Sequence, residues 1–133
     1  MKLNPGDLFR VMSEDGLQVV EEAHPFVILH TEGDSIFFSN FTDAGKENDH
    51  GCVVYPVDDC KNITKQSAFR YRSIEKQSLA VMEKAFQDGK LRNFGPITSA
   101  SWEKIKNGVL KSTLIKPKYK EVLIAAFGLD FSR

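Results

Sequence analysis

Pro25-Phe26-Val27-Ile28-Leu29-His30-Thr31-Glu32-Gly33-Asp34-Ser35-Ile36-Phe37-Phe38-Ser39-Asn40-Phe41 is the stretch on which the fold turns. Residues 25–30 form a continuous apolar run, long enough for a buried strand and too short for a helix. Glu32-Gly33-Asp34 makes a tight connection, and 35–41 returns as a second strand, so 25–41 reads as a hairpin. Outward from it, the chain stays β on both sides. Leu8–Met12 is a short strand started after the turn signal Asn4-Pro5-Gly6. Ser13–Gly16 is a turn, and 18–20 a short edge strand. Residues 42–51 form a polar loop, the kind of segment on a β scaffold where function concentrates. Cys52–Tyr55 is a strand ended by Pro56. Ser67–Ile74 alternates, with Phe69 and Tyr71 on a core face and Arg70 and Arg72 on the other.

The second half turns helical. Leu79, Met82 and Phe86 recur at helical spacing, and Gly89 closes that helix. Asn93-Phe94-Gly95-Pro96 is a break. Ser99 or Ser101 caps a helix through Trp102, Ile105 and Val109. Pro117 opens a last helix with Val122, Leu123, Ala126 and Phe127 inward. A chain of 133 residues, 41% hydrophobic and 11% aromatic, suits a single domain with its own core. Its fold class is α+β, a small curved sheet over about 4–75 followed by helices over about 77–133. No apolar run reaches membrane-spanning length, and Met1–Asp7 carries no apolar leader, which points to the cytoplasm.

Charge is unevenly distributed. Residues 1–60 hold three basic and twelve acidic residues; residues 61–133 hold fifteen basic and six acidic. A fold that groups each half presents an acidic face and a basic face, and a basic face attracts polyanions, nucleic acid first among them. A fold that interleaves the halves erases the dipole.

Few residues offer chemistry. His24 precedes Pro25 at the entry to the buried strand and follows Glu21 and Glu22. Imidazole titrates near neutral pH, which suits acid–base work on RNA; the alternative is a strand-entry histidine with no role. His30 lies in the apolar run and reads as structural; His50 sits in the polar loop. Thr42 ends a strand, where a hydroxyl reaches a phosphate oxygen, although Thr is common in strands for its branching alone. Lys61, Lys65, Arg70 and Arg72 crowd into twelve residues around Phe69 and Tyr71. Guanidinium groups grip phosphates and aromatics stack on bases; a solvated strand face has the same composition. Lys116, Lys118 and Lys120 read as a solvated helix start. Cys52 and Cys60 are the only cysteines, and by default two free thiols; their spacing does not match a zinc-ligand pair. No catalytic triad, Walker loop or dinucleotide fingerprint is present, so no cofactor is expected.

The order of features resembles the PemK/MazF-like toxins. Pro5-Gly6-Asp7-Leu8-Phe9-Arg10-Val11 is similar to their opening strand after a Gly-Asp pair. Glu21–Leu29 resembles their charged stretch leading into a Pro-led apolar strand. Phe41-Thr42-Asp43 resembles the segment that carries a Thr or Ser, and 61–74 with the helix after it resembles the end of their barrel. The likeness covers about residues 4–92. It implies an SH3-like β-barrel, a homodimer, and a metal-independent endoribonuclease neutralised by an antitoxin peptide. The family's Arg before the second-strand Pro is replaced here by His24, and an imidazole is not a fixed cationic fork.

The first functional expectation is therefore an RNA-directed protein, with Thr42 holding the scissile phosphate, His24 as acid or base, and Arg70 or Arg72 stabilising the developing charge. Lys61, Lys65, Arg70 and Arg72 would bind the nucleic acid. The second is a non-catalytic module on the same barrel, binding a protein or nucleic acid and carried by a mobile element or phage. A third class, a metal protein, would use His50, Cys52 and Cys60.

Overall fold

The computed structural model of the chain describes residues 3–20, 23–43, 53–54 and 66–129. Among the described residues, seven strands and three helices follow one another: β1 (Asp7–Val11), β2 (Phe26–Glu32), β3 (Ser35–Asp43), β4 (Val53–Val54), β5 (Ser67–Phe69), a 3₁₀ turn (Tyr71–Ser73), β6 (Glu75–Ser78), α1 (Leu79–Gln87), β7 (Leu91–Pro96), α2 (Ser99–Lys111) and α3 (Pro117–Phe127). Every strand pairing is antiparallel. The α+β class holds. The chain forms two compact units interleaved along the sequence, Met1–Asn40 with Glu75–Ile97, and Phe41–Ile74 with Thr98–Arg133.

In the first unit the strand order is β6-β3-β2-β1-β7. The hairpin of β2 and β3 is as expected, with a two-residue connection in which Gly33 sits at φ 57°, a conformation L side chains rarely adopt. Val27, Ile28 and Leu29 are all buried, which explains a run without alternation: β2 is covered on both faces. A register shift between Ile28 and His30 adds one residue to β2 there. Among the described residues no ladder joins β6 to β7, so this sheet is open rather than closed into the expected barrel.

The core of this unit is built on Phe9. Its ring stacks on Phe26 at 5.1 Å and meets Phe38 and Phe86 edge-on at 5.7 and 5.4 Å. Leu3, Ile28, Ile36 and Met82 complete the buried cluster. Leu79, Met82 and Phe86 lie on one stripe of α1, whose first turn is capped by the Ser78 hydroxyl accepting from the Val81 N–H.

The second unit pairs the end of β3 with β5, Phe41 opposite Phe69 and Thr42 opposite Ala68, and β5 with β4. Phe69 meets Phe41 at 5.3 Å and Tyr71 at 5.1 Å, both edge-on. The expected strand 67–74 stops at Phe69: the chain turns through the 3₁₀ segment, and Phe69, Ala68 and Tyr71 are all buried, so no arginine face alternates with an aromatic one. The buried Tyr71 hydroxyl donates to the Ile105 carbonyl at 2.7 Å, tying this turn to α2. Thr98, not Ser99 or Ser101, caps α2, accepting from the Ser101 N–H. Pro117 opens α3 and Gly128 closes it at φ 63°. Only Leu123 of its expected inner face is fully buried; Val122 and Phe127 are half-buried and Ala126 is exposed. Among the described residues no helix is long and apolar enough to cross a membrane.

Two measurements check these readings. Phe9→Ala should lower the unfolding free energy by about 3–5 kcal/mol in urea titrations, as expected for removal of a buried ring from a close-packed cluster. The Ser13 hydroxyl and then the Leu17 N–H donate to the Asp15 carboxylate and hold it below its ordinary titration range. A carboxylate depressed in the folded state contributes stability above its unfolded pKa, lost as pH falls through the folded value. An NMR titration should therefore place the Asp15 midpoint below that of a free Asp, and Ser13→Ala should move it back up.

Candidate functional site

Of the expected site residues, His24 belongs to the first unit and Thr42, Arg70 and Arg72 to the second. Lys61 and Lys65 lie outside the described residues, as do His50, Cys52 and Cys60. Thr42 is on β3 rather than in a loop and is only 8% exposed. Arg70 is half-buried at the start of the 3₁₀ turn and Arg72 is exposed; both already have partners. His30 stacks on Phe37 at 6.1 Å with its Nε2 3.7 Å from Glu32, a structural setting. Among the described residues no group of three His, Cys, Asp or Glu is arranged to hold a metal ion.

Sequence reading passed over Arg10. It sits on β1 directly opposite Arg92 of β7. Its guanidinium donates to the carbonyl of Ala23 at 3.5 Å, beside His24. The only signal in the sequence was an arginine inside an otherwise apolar strand, Leu8-Phe9-Arg10-Val11.

A second basic feature is larger. Residues 99–129 carry six lysines against two glutamates. The Lys106 Nζ is paired with Glu103 at 2.8 Å and lies 5.7 Å from the Trp102 ring centroid. The Lys120 Nζ donates to the Ser112 carbonyl at 2.6 Å and fixes the connection between α2 and α3. Lys111, Lys116 and Lys118 are exposed around that connection, with Lys116 5.4 Å from the Tyr119 ring centroid. α3 has no acidic residue in its first turn and no side-chain cap. Its positive N-terminal dipole end therefore adds to the lysine charge instead of being neutralised. A pocket of about 310 Å³ opens here, lined by Ser112, Ile115, Pro117, Lys120 and Ile124.

The interleaving tempers the charge split. The first unit holds six basic and ten acidic residues, and the second twelve and eight. The second unit keeps a positive excess, supplied by α2, α3 and the arginines of 70–72.

No protein-family model matches the chain, and a search of curated proteins finds no significant match.

Proposed function

We propose that the protein is RNA-directed and that its core activity is binding single-stranded RNA through the lysines around the α2–α3 connection. The observation that carries this reading is the cluster of exposed Lys111, Lys116 and Lys118 beside Tyr119, in the unit with the positive excess. Ammonium groups neutralise phosphates and release condensed counterions, while an aromatic ring accepts an unstacked base. Arg70 and Arg72 extend the positive charge of the same unit. In this reading the protein is a binding module, and no step of bond cleavage is required.

A second reading, the PemK/MazF-like endoribonuclease, draws support from Arg10. The Arg10 guanidinium donates to the Ala23 carbonyl, one residue before His24 in the chain, so the reading has a cation in the same unit as its imidazole. His24 would move the proton, with Thr42 and Arg70 as the remaining expected participants. The reading carries with it a cytoplasmic homodimer restrained by an antitoxin peptide, on an open sheet rather than a closed barrel.

Gel-shift titrations with single-stranded RNA test the first reading. Affinity should fall steeply with salt. Replacing Lys111, Lys116 and Lys118 together by Ala should reduce the slope of log K against log salt by about 2, since each single-strand phosphate contact contributes roughly 0.7. Unchanged affinity and slope in that variant would sink it. Incubation of RNA with the protein in EDTA tests the second. Cleavage should occur and drop by about 10²-fold or more in His24→Ala; intact RNA with the wild-type protein removes the enzyme.

A further inference from the structure

Arg10 and Arg92 face each other across an antiparallel ladder. Directly opposed residues bring their Cβ atoms to roughly 4.5–5.5 Å, and like charges at that spacing oppose folding. No carboxylate among the described residues pairs with either side chain. Arg10 is half-buried, and its Nε is the one buried side-chain polar atom among the described residues without a hydrogen-bond partner. Each guanidinium makes a single long bond to a backbone carbonyl, Arg10 to Ala23 and Arg92 to Gly16, both 3.5 Å. Arg92 itself is exposed, and among the described residues no side chain accepts from the remaining donors of either fork. Such a pair is unfavourable alone and becomes favourable when an oxyanion accepts from both, because a tetrahedral phosphate matches the guanidinium fork.

We infer that Arg10 and Arg92 form a binding site for a phosphate group, on the β1–β7 ribbon of the first unit. Asn93 and Phe94 adjoin it. The Asn93 Nδ2 donates to Asp7 at 2.9 Å, and Phe94 is 41% exposed two residues beyond Arg92. Two residues along a strand is roughly 7 Å, which puts an open ring within reach of the rest of a phosphorylated ligand. The site is independent of the lysines of α2 and α3 and does not rest on RNA binding or cleavage.

The experiment is an NMR titration of the arginine Nε–H signals with inorganic phosphate and, separately, with uridine 5′-monophosphate, against chloride at equal ionic strength. The Arg10 and Arg92 signals should move with phosphate and not with chloride. Arg92→Gln should weaken apparent affinity by about tenfold, and Lys84→Ala, an exposed α1 lysine paired with Asp88, should not. Tighter binding of the mononucleotide, with movement of the Phe94 ring signals, supports the proposal with a nucleotide phosphate as the ligand. Equal binding supports it with free phosphate as the ligand. A second variant guards against simple loss of structure: Arg92→Glu faces Arg10 with an opposite charge, so its Tm in chloride should rise while the response to phosphate vanishes. Arginine signals that ignore both ligands in the wild-type protein, or a phosphate response that survives in Arg92→Glu, overturn the site.

Discussion

The packing of one ring organises the first unit. Phe9 lies in β1, between β2 and β7, and touches rings from β2, β3 and α1. Three aromatic contacts at 5.1–5.7 Å fix where two strands and a helix sit against each other. Offset and edge-on ring contacts add to the gain from area burial, and they are directional where aliphatic packing is not. Because side chains alternate along β1, pinning Phe9 into the core commits its neighbour Arg10 to the opposite face. The arginine that ends up facing Arg92 is thus a consequence of register. A slip of one residue would bury the cation and expose the ring.

The distribution of charge follows from the same topology. The sequence halves differ by eighteen formal charges, but the chain crosses between units, and Glu75–Ile97 returns to join the acidic N-terminal segment. That return brings four basic and three acidic residues, while the five acidic residues of 41–60 fall to the second unit, so the acidic excess of the first unit is four. What survives is local. Self-repulsion within a unit weakens folding, so reducing the excess relieves the fold, while the lysines about the α2–α3 connection preserve a concentrated positive region.

Much of the fold was legible because short-range physics fixed it. The hairpin of 25–41 announced itself by length, apolar run and Gly33. α1 announced itself by its spacing, and the start of α3 by Pro117. The failures share a cause. β7 occupies Leu91–Pro96, where Gly95 and Pro96 argued for a break. There the ladder shifts register between Leu8 and Phe9, with Gly95 at φ 87°, so the residues that signal a turn serve a bulged edge strand instead. The strand expected over 67–74 was read from alternation, but the Tyr71 hydroxyl is drawn to the Ile105 carbonyl, a contact 34 residues away that no local pattern encodes. The open sheet instead of a barrel depends on which strands become edges, again a non-local outcome. The lysine run of 116–120, read as a solvated helix start, does open α3, with Lys116 and Lys118 exposed. The Arg10–Arg92 juxtaposition spans 82 positions of sequence and could not be read before the ladder was known.

The two positive regions differ in chemistry as well as place. Exposed lysines act on phosphates as hydrated point charges, and salt screens them within a Debye length, about 8 Å at physiological ionic strength. Their contribution is long in reach and tolerant of geometry, which suits capture of an extended polyanion whatever its sequence. Arg10 is half-buried with a donor shielded from water, and salt screens such a group far less. Its fork demands an acceptor of defined shape, so it suits one oxyanion in one place. Two arginines stand opposed on this ladder with no carboxylate among the described residues paired to either, and like charges so placed oppose folding. Ordinary packing supplies no reason to retain that arrangement; a ligand whose negative charge completes it does.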